Sequence, residues 1–119
     1  MPGSALHDFS PTEVRAMLER DEIVLIDVRE PAEFAAERIH GALNFPLSTF
    51  DARALPSGGR ERVVLQCGSG KRSAMAVERC QAAGLDVDAH LAGGITAWVR
   101  AGLPTVRLDS DSGAILDPR

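Results

Sequence analysis

The chain has 119 residues, of which 45% are hydrophobic and 25% are charged. This length suits one domain with its own hydrophobic core, and the composition excludes a disordered chain. The net charge of −4 argues against non-specific binding to nucleic acid. No apolar run approaches the roughly 20 residues that a membrane helix needs. We therefore expect a single domain over residues 1–119, with no nucleic-acid partner and no membrane contact.

The N-terminus and the cysteines both bear on the cellular compartment of the protein. The opening sequence, MPGSALHDFS, lacks a basic region followed by an apolar stretch, so it does not resemble a signal peptide. A cytoplasmic location is the resulting expectation, and there Cys67 and Cys80 are expected to be reduced. Neither the cysteines nor the three histidines have the spacing of metal ligands. We expect no metal and no cofactor.

The first half of the chain predicts a helix, a strand, a helix and a short strand. The helix in SPTEVRAMLER begins with Ser10 as N-cap, Pro11 at the first helical position and Glu13 completing a capping box. The continuous apolar run in EIVLIDV is typical of a strand that is buried on both faces. A second helix is predicted in EPAEFAAERI and a short strand in GALNFP.

The second half repeats the alternation of strands and helices. After a loop at LPSGGRE, a buried strand is predicted in RVVLQC, a helix in RSAMAVERCQAAG, a strand and turn in DAHLAGG, and a last helix in ITAWVRAG. The tail, residues 105–119, has no clear period and is expected to be loose or packed over the surface. Alternating strands and helices predict an α/β fold with a mostly parallel sheet, and ligands bind such sheets at the carboxyl ends of the strands.

Cys67 lies at one such strand end, directly before a glycine-rich turn and a helix. The unpaired N–H groups and the dipole of a helix N-terminus favour negative charge. Gly68 and Gly70 allow further N–H groups to converge, and Lys71 and Arg72 add positive charge. All these influences favour the thiolate, so the pattern predicts a nucleophilic cysteine near neutral pH.

The same loop would also hold an anion on the sulfur, such as a persulfide, a phosphoryl group or a bound oxyanion. A buried structural cysteine and a phosphate-binding loop without covalent chemistry are the alternatives. The sequence CGSGKRS, however, lacks the spacing of a P-loop. The combination of glycines, basic residues and position favours the functional interpretation.

Four segments in order make the chain resemble the single-domain rhodaneses, which are sulfurtransferases. The match spans about residues 6–104, most of the chain, and the four segments that carry it are LIDVREPAEF, ERIHGALNFP, VVLQCGSGKRS and HLAGGITAWVRAGLP. The resemblance implies a five-stranded, mostly parallel sheet with helices on both faces. It also implies that Cys67 takes a sulfane sulfur from a donor such as thiosulfate and passes it to cyanide or a thiol.

The resemblance further implies that the loop after Cys67 cradles the persulfide through Gly68, Ser69, Gly70, Lys71, Arg72 and Ser73, with Ser73 adding a hydroxyl. A non-enzymatic persulfide carrier or binding module, with a protein as sulfur donor or acceptor, remains an alternative. A phosphatase or arsenate reductase is a third, but the related phosphatases place five residues between Cys and Arg. Here four residues separate Cys67 from Arg72, and the shorter loop favours sulfur.

Two departures from the rhodanese pattern matter, one at Glu33 and one at Arg38 and His40. Two-domain thiosulfate rhodaneses commonly carry Arg before the aromatic residue of the second helix, where this chain has Glu33 before Phe34. A carboxylate that pointed inward there would repel a dianionic donor. Arg38 and His40 replace residues of the common Gly-His-Ile-Pro-Gly-Ala run, which alters a surface near the edge of the sheet.

The remaining candidate residues are expected to be structural. Asp27 and Arg29 follow a strand on the side of Cys67, where they either position a substrate or brace the loop, and the brace is favoured. Cys80 shares a helix face with apolar residues and lies about 20 Å along the helix from Cys67, which indicates core packing. Trp98 is expected to be buried, and His40 and His90 are expected to be at the surface or structural.

Overall fold

A computed structural model describes residues 5–56 and 59–118 of the chain. The N-terminal residues on which the signal-peptide argument partly rests, and the centre of the LPSGGRE loop, lie outside the described residues. Within the described part, no helix is long and apolar enough to cross a membrane. The same residues contain no group of three or more His, Cys, Asp or Glu side chains arranged to hold a metal ion.

The main sheet has five strands, all parallel, in the order β1-β6-β5-β2-β4. Its strands are β1 (His7–Phe9), β2 (Ile23–Asp27), β4 (Leu43–Asn44), β5 (Arg62–Gln66) and β6 (Ala89–Leu91). The predicted parallel α/β sheet is confirmed. The apolar runs of β2 and β5 pair along their full length, from Ile23 opposite Arg62 to Asp27 opposite Gln66. This central position explains why both strands are apolar on both faces.

Helices cover both faces of the sheet. They are α1 (Pro11–Glu19), α2 (Pro31–Ala36), α3 (Lys71–Ala82) and α4 (Gly94–Arg100). Val14 of α1 and Trp98 of α4 belong to the apolar core on one face, whereas Ala76 and Val77 of α3 belong to the core on the other. Short 3₁₀ segments at Leu47–Thr49 and Ala52–Ala54 join β4 to β5.

The capping box predicted for α1 is present. The Ser10 hydroxyl accepts a hydrogen bond from the Glu13 N–H, and the Glu13 carboxylate accepts one from the Ser10 N–H. The helix predicted in EPAEFAAERI is too long, because α2 ends at Ala36 and the next two residues form β3 (Glu37–Arg38). Pairing of β3 with a later strand overrides the local helical tendency of these residues.

A second, antiparallel sheet of three strands was not predicted. It combines β3 with β7 (Val106–Leu108) and β8 (Ile115–Leu116), in the order β3-β7-β8. The tail therefore packs on the domain through strand pairing rather than as a loose segment. Arg38 lies opposite Val106, and Arg107 lies opposite Leu116.

Candidate active site

Cys67 follows β5 directly and lies in the core beneath α3. It has no surface exposed to solvent. The sequence predicts this thiol at the mouth of a turn, and the structure instead closes the turn over it. A reagent or sulfur donor can therefore reach the sulfur only after a local movement of the residues around it.

The backbone of the following turn points its N–H groups at the sulfur. The Gly70 nitrogen lies 3.0 Å from the Cys67 Sγ, and the Ser73 hydroxyl lies 3.5 Å from it. Burial is the largest single influence on the Cys67 pKa and raises it. The Ser73 hydroxyl and the N–H groups of Ser73, Gly70 and Ser69 together outweigh it, so the pKa of Cys67 lies below its ordinary value of 9.0. The geometry thus stabilises a thiolate by hydrogen bonding to the charged form.

The N-terminus of α4 holds this turn in place. The N–H groups of Ile95 and Thr96 donate to the carbonyls of Cys67 and Gly68 at 2.9 and 3.1 Å. In a trans peptide the carbonyl and the following N–H point in opposite directions. Anchoring the Gly68 carbonyl on α4 therefore directs the Ser69 N–H toward the sulfur.

Two glycines are required by this arrangement. Gly70 has a φ of +101°, a backbone conformation that residues other than glycine rarely adopt. Gly94 has a φ of +60°, and a Cβ there would stand 2.2 Å from the Cys67 carbonyl oxygen. Gly68 has no such left-handed φ. Of the two loop glycines, Gly70 is thus the one with the left-handed conformation.

The basic residues of the loop behave differently from each other. Lys71 is exposed, and no contact brings its ammonium group to Cys67 within the hydrogen bonds and ion pairs described. Arg72 donates from Nη1 and Nη2 to the two oxygens of Glu33 at 2.8 and 3.0 Å. Glu33 does not point at the sulfur, as an inward carboxylate would, but neutralises the guanidinium beside it.

Asp27 and Arg29 form a buried ion pair at the end of β2. The Arg29 side chain donates to both carboxylate oxygens at distances of 2.9–3.2 Å, and the two residues are 0% and 6% exposed. Arg29 also donates to the Glu37 carbonyl, and the Asn44 amide donates to the carbonyls of both Asp27 and Arg29. These contacts brace the end of β2 against β3 and β4, and none of them reaches the Cys67 loop.

His90 is the residue near the site that sequence reasoning missed. It is 5% exposed, its Nδ1 lies 2.8 Å from the Ser73 hydroxyl, and its Nε2 lies 2.6 Å from Asp8. It lies opposite Leu65 of β5, and Cys67, two residues after Leu65 and just past the end of β5, lies on the same face of the sheet. A histidine in a strand of three residues gives no sequence signal for this contact, because the link runs through α3.

The sequence and the fold of the chain are similar to those of known proteins. A family model described as the Rhodanese-like domain matches residues 10–101. The chain belongs to the rhodanese-like domain family. A protein of Allochromatium vinosum named as a sulfurtransferase is 36% identical over 90 residues, which are 76% of this chain and 84% of that protein.

Two further relatives differ in length and in what is known of them. The uncharacterized protein slr1261 of Synechocystis is 40% identical over 98 residues, but these are 82% of this chain and 55% of that protein. The chain thus spans about half of that relative. The crystal structure of a rhodanese-related protein from Thermoplasma volcanium superimposes with a TM-score of 0.73 at 27% identity, covering 84% of this chain and 97% of that one.

Within this rhodanese-like domain, the structure gives partners to the three residues named as departures, which are Glu33, Arg38 and His40. Glu33 pairs with Arg72. The Arg38 guanidinium lies 5.4 Å from the centre of the Phe34 ring, a cation–π distance. The His40 Nδ1 lies 3.9 Å from Asp117 near the C-terminus. Arg38 and His40 therefore act around the second sheet and not at the sulfur.

The other residues expected to be structural lie in the core of the rhodanese-like domain. Cys80 is 0% exposed, and burial raises its pKa to about 11. Both cysteines are free thiols. Trp98 is 3% exposed, and its indole N–H donates to the Pro104 carbonyl at 2.8 Å.

Proposed function

We propose that this rhodanese-like domain is a sulfurtransferase that uses Cys67 as its nucleophile. The Cys67 thiolate attacks the sulfane sulfur of a donor, the bond between that sulfur and the donor breaks, and the donor leaves with the bonding electrons. Cys67 then carries a persulfide. A thiophilic acceptor such as cyanide or a thiol attacks the outer sulfur and returns the thiolate. The sulfurtransferase of Allochromatium vinosum supports the same class of reaction.

The observation that carries this proposal is the convergence of loop N–H groups on the Cys67 sulfur, with Gly70 at 3.0 Å. Such a cradle lowers the pKa of the attacking thiol and, once loaded, stabilises the negative charge of the persulfide. Ser69, Gly70 and Ser73 supply the N–H groups around the sulfur, and Ser73 also supplies a hydroxyl. Asp27 and Arg29 brace the end of β2 through each other, the Glu37 carbonyl and the Asn44 amide.

A small or weakly charged persulfide is a better candidate donor than thiosulfate. The Arg72 guanidinium, which would attract a dianion, is already neutralised by Glu33. The same observation also fits a role as a persulfide carrier, in which one protein delivers sulfur to Cys67 and another protein removes it. A donor protein can open the closed turn through its own contacts, whereas a free anion has no such contacts.

Mass spectrometry of the intact protein tests the proposal. After incubation with thiosulfate, or with a small persulfide donor, we expect a gain of one sulfur atom located on the peptide that contains Cys67. Cyanide should then remove it. Cys67→Ser should show neither gain nor turnover while keeping the native circular dichroism spectrum. Sulfur loading on another residue, or turnover by Cys67→Ser, would contradict the assignment.

A further inference from the structure

The site contains a continuous chain of polar side chains that the sulfur-transfer scheme does not use. It runs from the Cys67 sulfur to the Ser73 hydroxyl at 3.5 Å, from there to His90 Nδ1 at 2.8 Å, and from His90 Nε2 to Asp8 at 2.6 Å. The first three residues are buried, whereas the Asp8 side chain is 64% exposed. This series of hydrogen-bonded side chains therefore connects the buried Cys67 sulfur to the solvent.

We propose that His90 takes the proton of Cys67 through Ser73, and that Asp8 stabilises the resulting imidazolium. His90 does not touch the sulfur, so it is a positioning residue that sets the ionisation of Cys67. The proposal concerns the ionisation of the Cys67 thiol. It rests on the proposed function only for the reaction in which that thiolate would be used.

The proton transfer balances without any outside group. In the neutral state, the thiol donates to Ser73, the Ser73 hydroxyl donates to Nδ1, and Nε2–H donates to the Asp8 carboxylate. Ser73 then gives its proton to Nδ1 and takes the proton of the thiol, so that the S–H bond breaks and its electron pair stays on sulfur. In the charged state, the Ser73 hydroxyl donates to the thiolate, and Nδ1–H donates to Ser73.

This transfer leaves the total charge of the group unchanged. Before it, the carboxylate of Asp8 carries the single negative charge; after it, the thiolate and the carboxylate flank one imidazolium. A lone thiolate in a site without solvent would be costly, whereas an internal ion pair with hydrogen-bonded partners is much less so. The closed position of Cys67 is therefore compatible with a reactive thiolate.

The surroundings of His90 contain few competing groups. The β1 strand contributes Asp8, the turn contributes Cys67 and Gly70, whose Cβ position lies 3.6 Å from the His90 ring, and β5 contributes the apolar Leu65. The α3 helix contributes Ser73. The Ser73 hydroxyl has one alternative acceptor, the Gly70 carbonyl at 3.2 Å, and the shorter contact to Nδ1 favours the relay.

The test is the ionisation of Cys67, followed by the ultraviolet absorbance of its thiolate as the difference between the protein and its Cys67→Ala variant. This measurement needs no reagent to enter the site and no sulfur transfer. In His90→Asn, an amide replaces the ring, so that Ser73 keeps a polar neighbour but no group accepts its proton. We expect the apparent pKa of Cys67 to rise by about one unit, a tenfold loss of thiolate below that pKa.

Two further variants complete the experiment. His40→Asn, which changes an exposed histidine at the second sheet, should leave the titration unchanged. Asp8→Asn alters an exposed side chain at the sheet edge and should raise the Cys67 pKa in the same direction by less, which keeps the proposal testable should His90→Asn fail to fold. If folded His90→Asn titrates like the parent protein, or if Asp8→Asn has no effect, the relay is wrong, whatever the outcome of the sulfur-loading test.

Discussion

The carboxylate of Glu33 and the guanidinium of Arg72 face each other through two hydrogen bonds of 2.8 and 3.0 Å. This pair ties α2 to the first turn of α3, beside the loop that surrounds Cys67. Arg72 also lies against the loop backbone, because a Cβ on Gly68 would be 3.2 Å from its Nη2. The pair therefore neutralises the positive charge that Arg72 would otherwise present beside the loop.

Removal of the Glu33 charge is expected to improve the use of an anionic donor. In Glu33→Gln, Arg72 regains a free positive charge, so KM for thiosulfate should fall about two- to fivefold, the range that exposed ion pairs generate. The kcat should change little, because the N–H groups around Cys67 remain. The control is Glu19→Gln, which removes the acidic partner of Arg15 on α1. An equal KM in all three proteins would show that Arg72 does not meet the donor.

The same pair predicts a dependence of stability on acid pH. The hydrogen bond from Arg72 lowers the Glu33 pKa from 4.5 to about 2. A carboxyl whose pKa is depressed by folding adds stability above its unfolded pKa, and this stability is lost as the pH falls through the folded value. Urea unfolding of the parent and Glu33→Gln should therefore differ above pH 4.5 and converge toward pH 2. The difference should be small, since the Glu33 side chain is 40% exposed and solvent screens such a pair. A constant difference across this range would contradict the pairing.

Gly94 links the position of α4 to the acidity of Cys67. In Gly94→Ala the new methyl group would overlap the Cys67 carbonyl oxygen, at 2.2 Å, and the Gly68 carbonyl oxygen, at 2.6 Å. The turn must move, and the Ser69 N–H should turn away from the sulfur. We expect a higher Cys67 pKa and a loss of unfolding free energy of about 1–3 kcal/mol or more.

Gly102→Ala is the matched control for Gly94→Ala. Gly102 also has a positive φ, of +78°, but no atom lies within 4 Å of its Cβ position. Backbone strain alone should therefore lower the unfolding free energy of this variant without changing the Cys67 titration. Equal titrations in both variants would mean that α4 does not orient the turn.

The sequence predicts the parts of the fold that depend on local pattern. Ser10 and Glu13 define the start of α1, and the apolar runs of β2 and β5 identify the centre of a parallel sheet. Four short strands, β1, β3, β7 and β8, escape prediction, whereas the equally short β4 and β6 are predicted in GALNFP and DAHLAGG. The partners of β1 and β3 are distant in the chain, as with Glu37 and Arg107, and local propensity carries no information about such pairing.

The candidate site divides in the same way. The loop from Cys67 to Ser73 can be predicted from the sequence, because the thiol, the glycines and the start of the helix are close together in the chain. The pairing of Arg72 with Glu33 and the contact of Ser73 with His90 join segments separated by 39 and 17 residues. The sequence predicts that the Glu33 carboxylate affects the choice of donor. It does not predict that this carboxylate forms an ion pair with Arg72. It gave no reason to connect His90 to the thiol.

Cys80 provides the test of whether the second thiol has any part in the chemistry. It packs in the same core as Cys67, but burial raises its pKa to about 11, so it is a poor nucleophile near neutral pH. Cys80→Ala should therefore keep nearly all sulfur transfer while losing about 1 kcal/mol of stability through lost packing. Since folding raises this pKa above the ordinary 9.0, the parent should also lose stability as the pH rises from 9.0 toward 11, and Cys80→Ala should lose less. A near-total loss of activity in Cys80→Ala, with the fold intact, would place the second thiol in the reaction, because a packing role alone leaves Cys67 and its N–H donors unchanged.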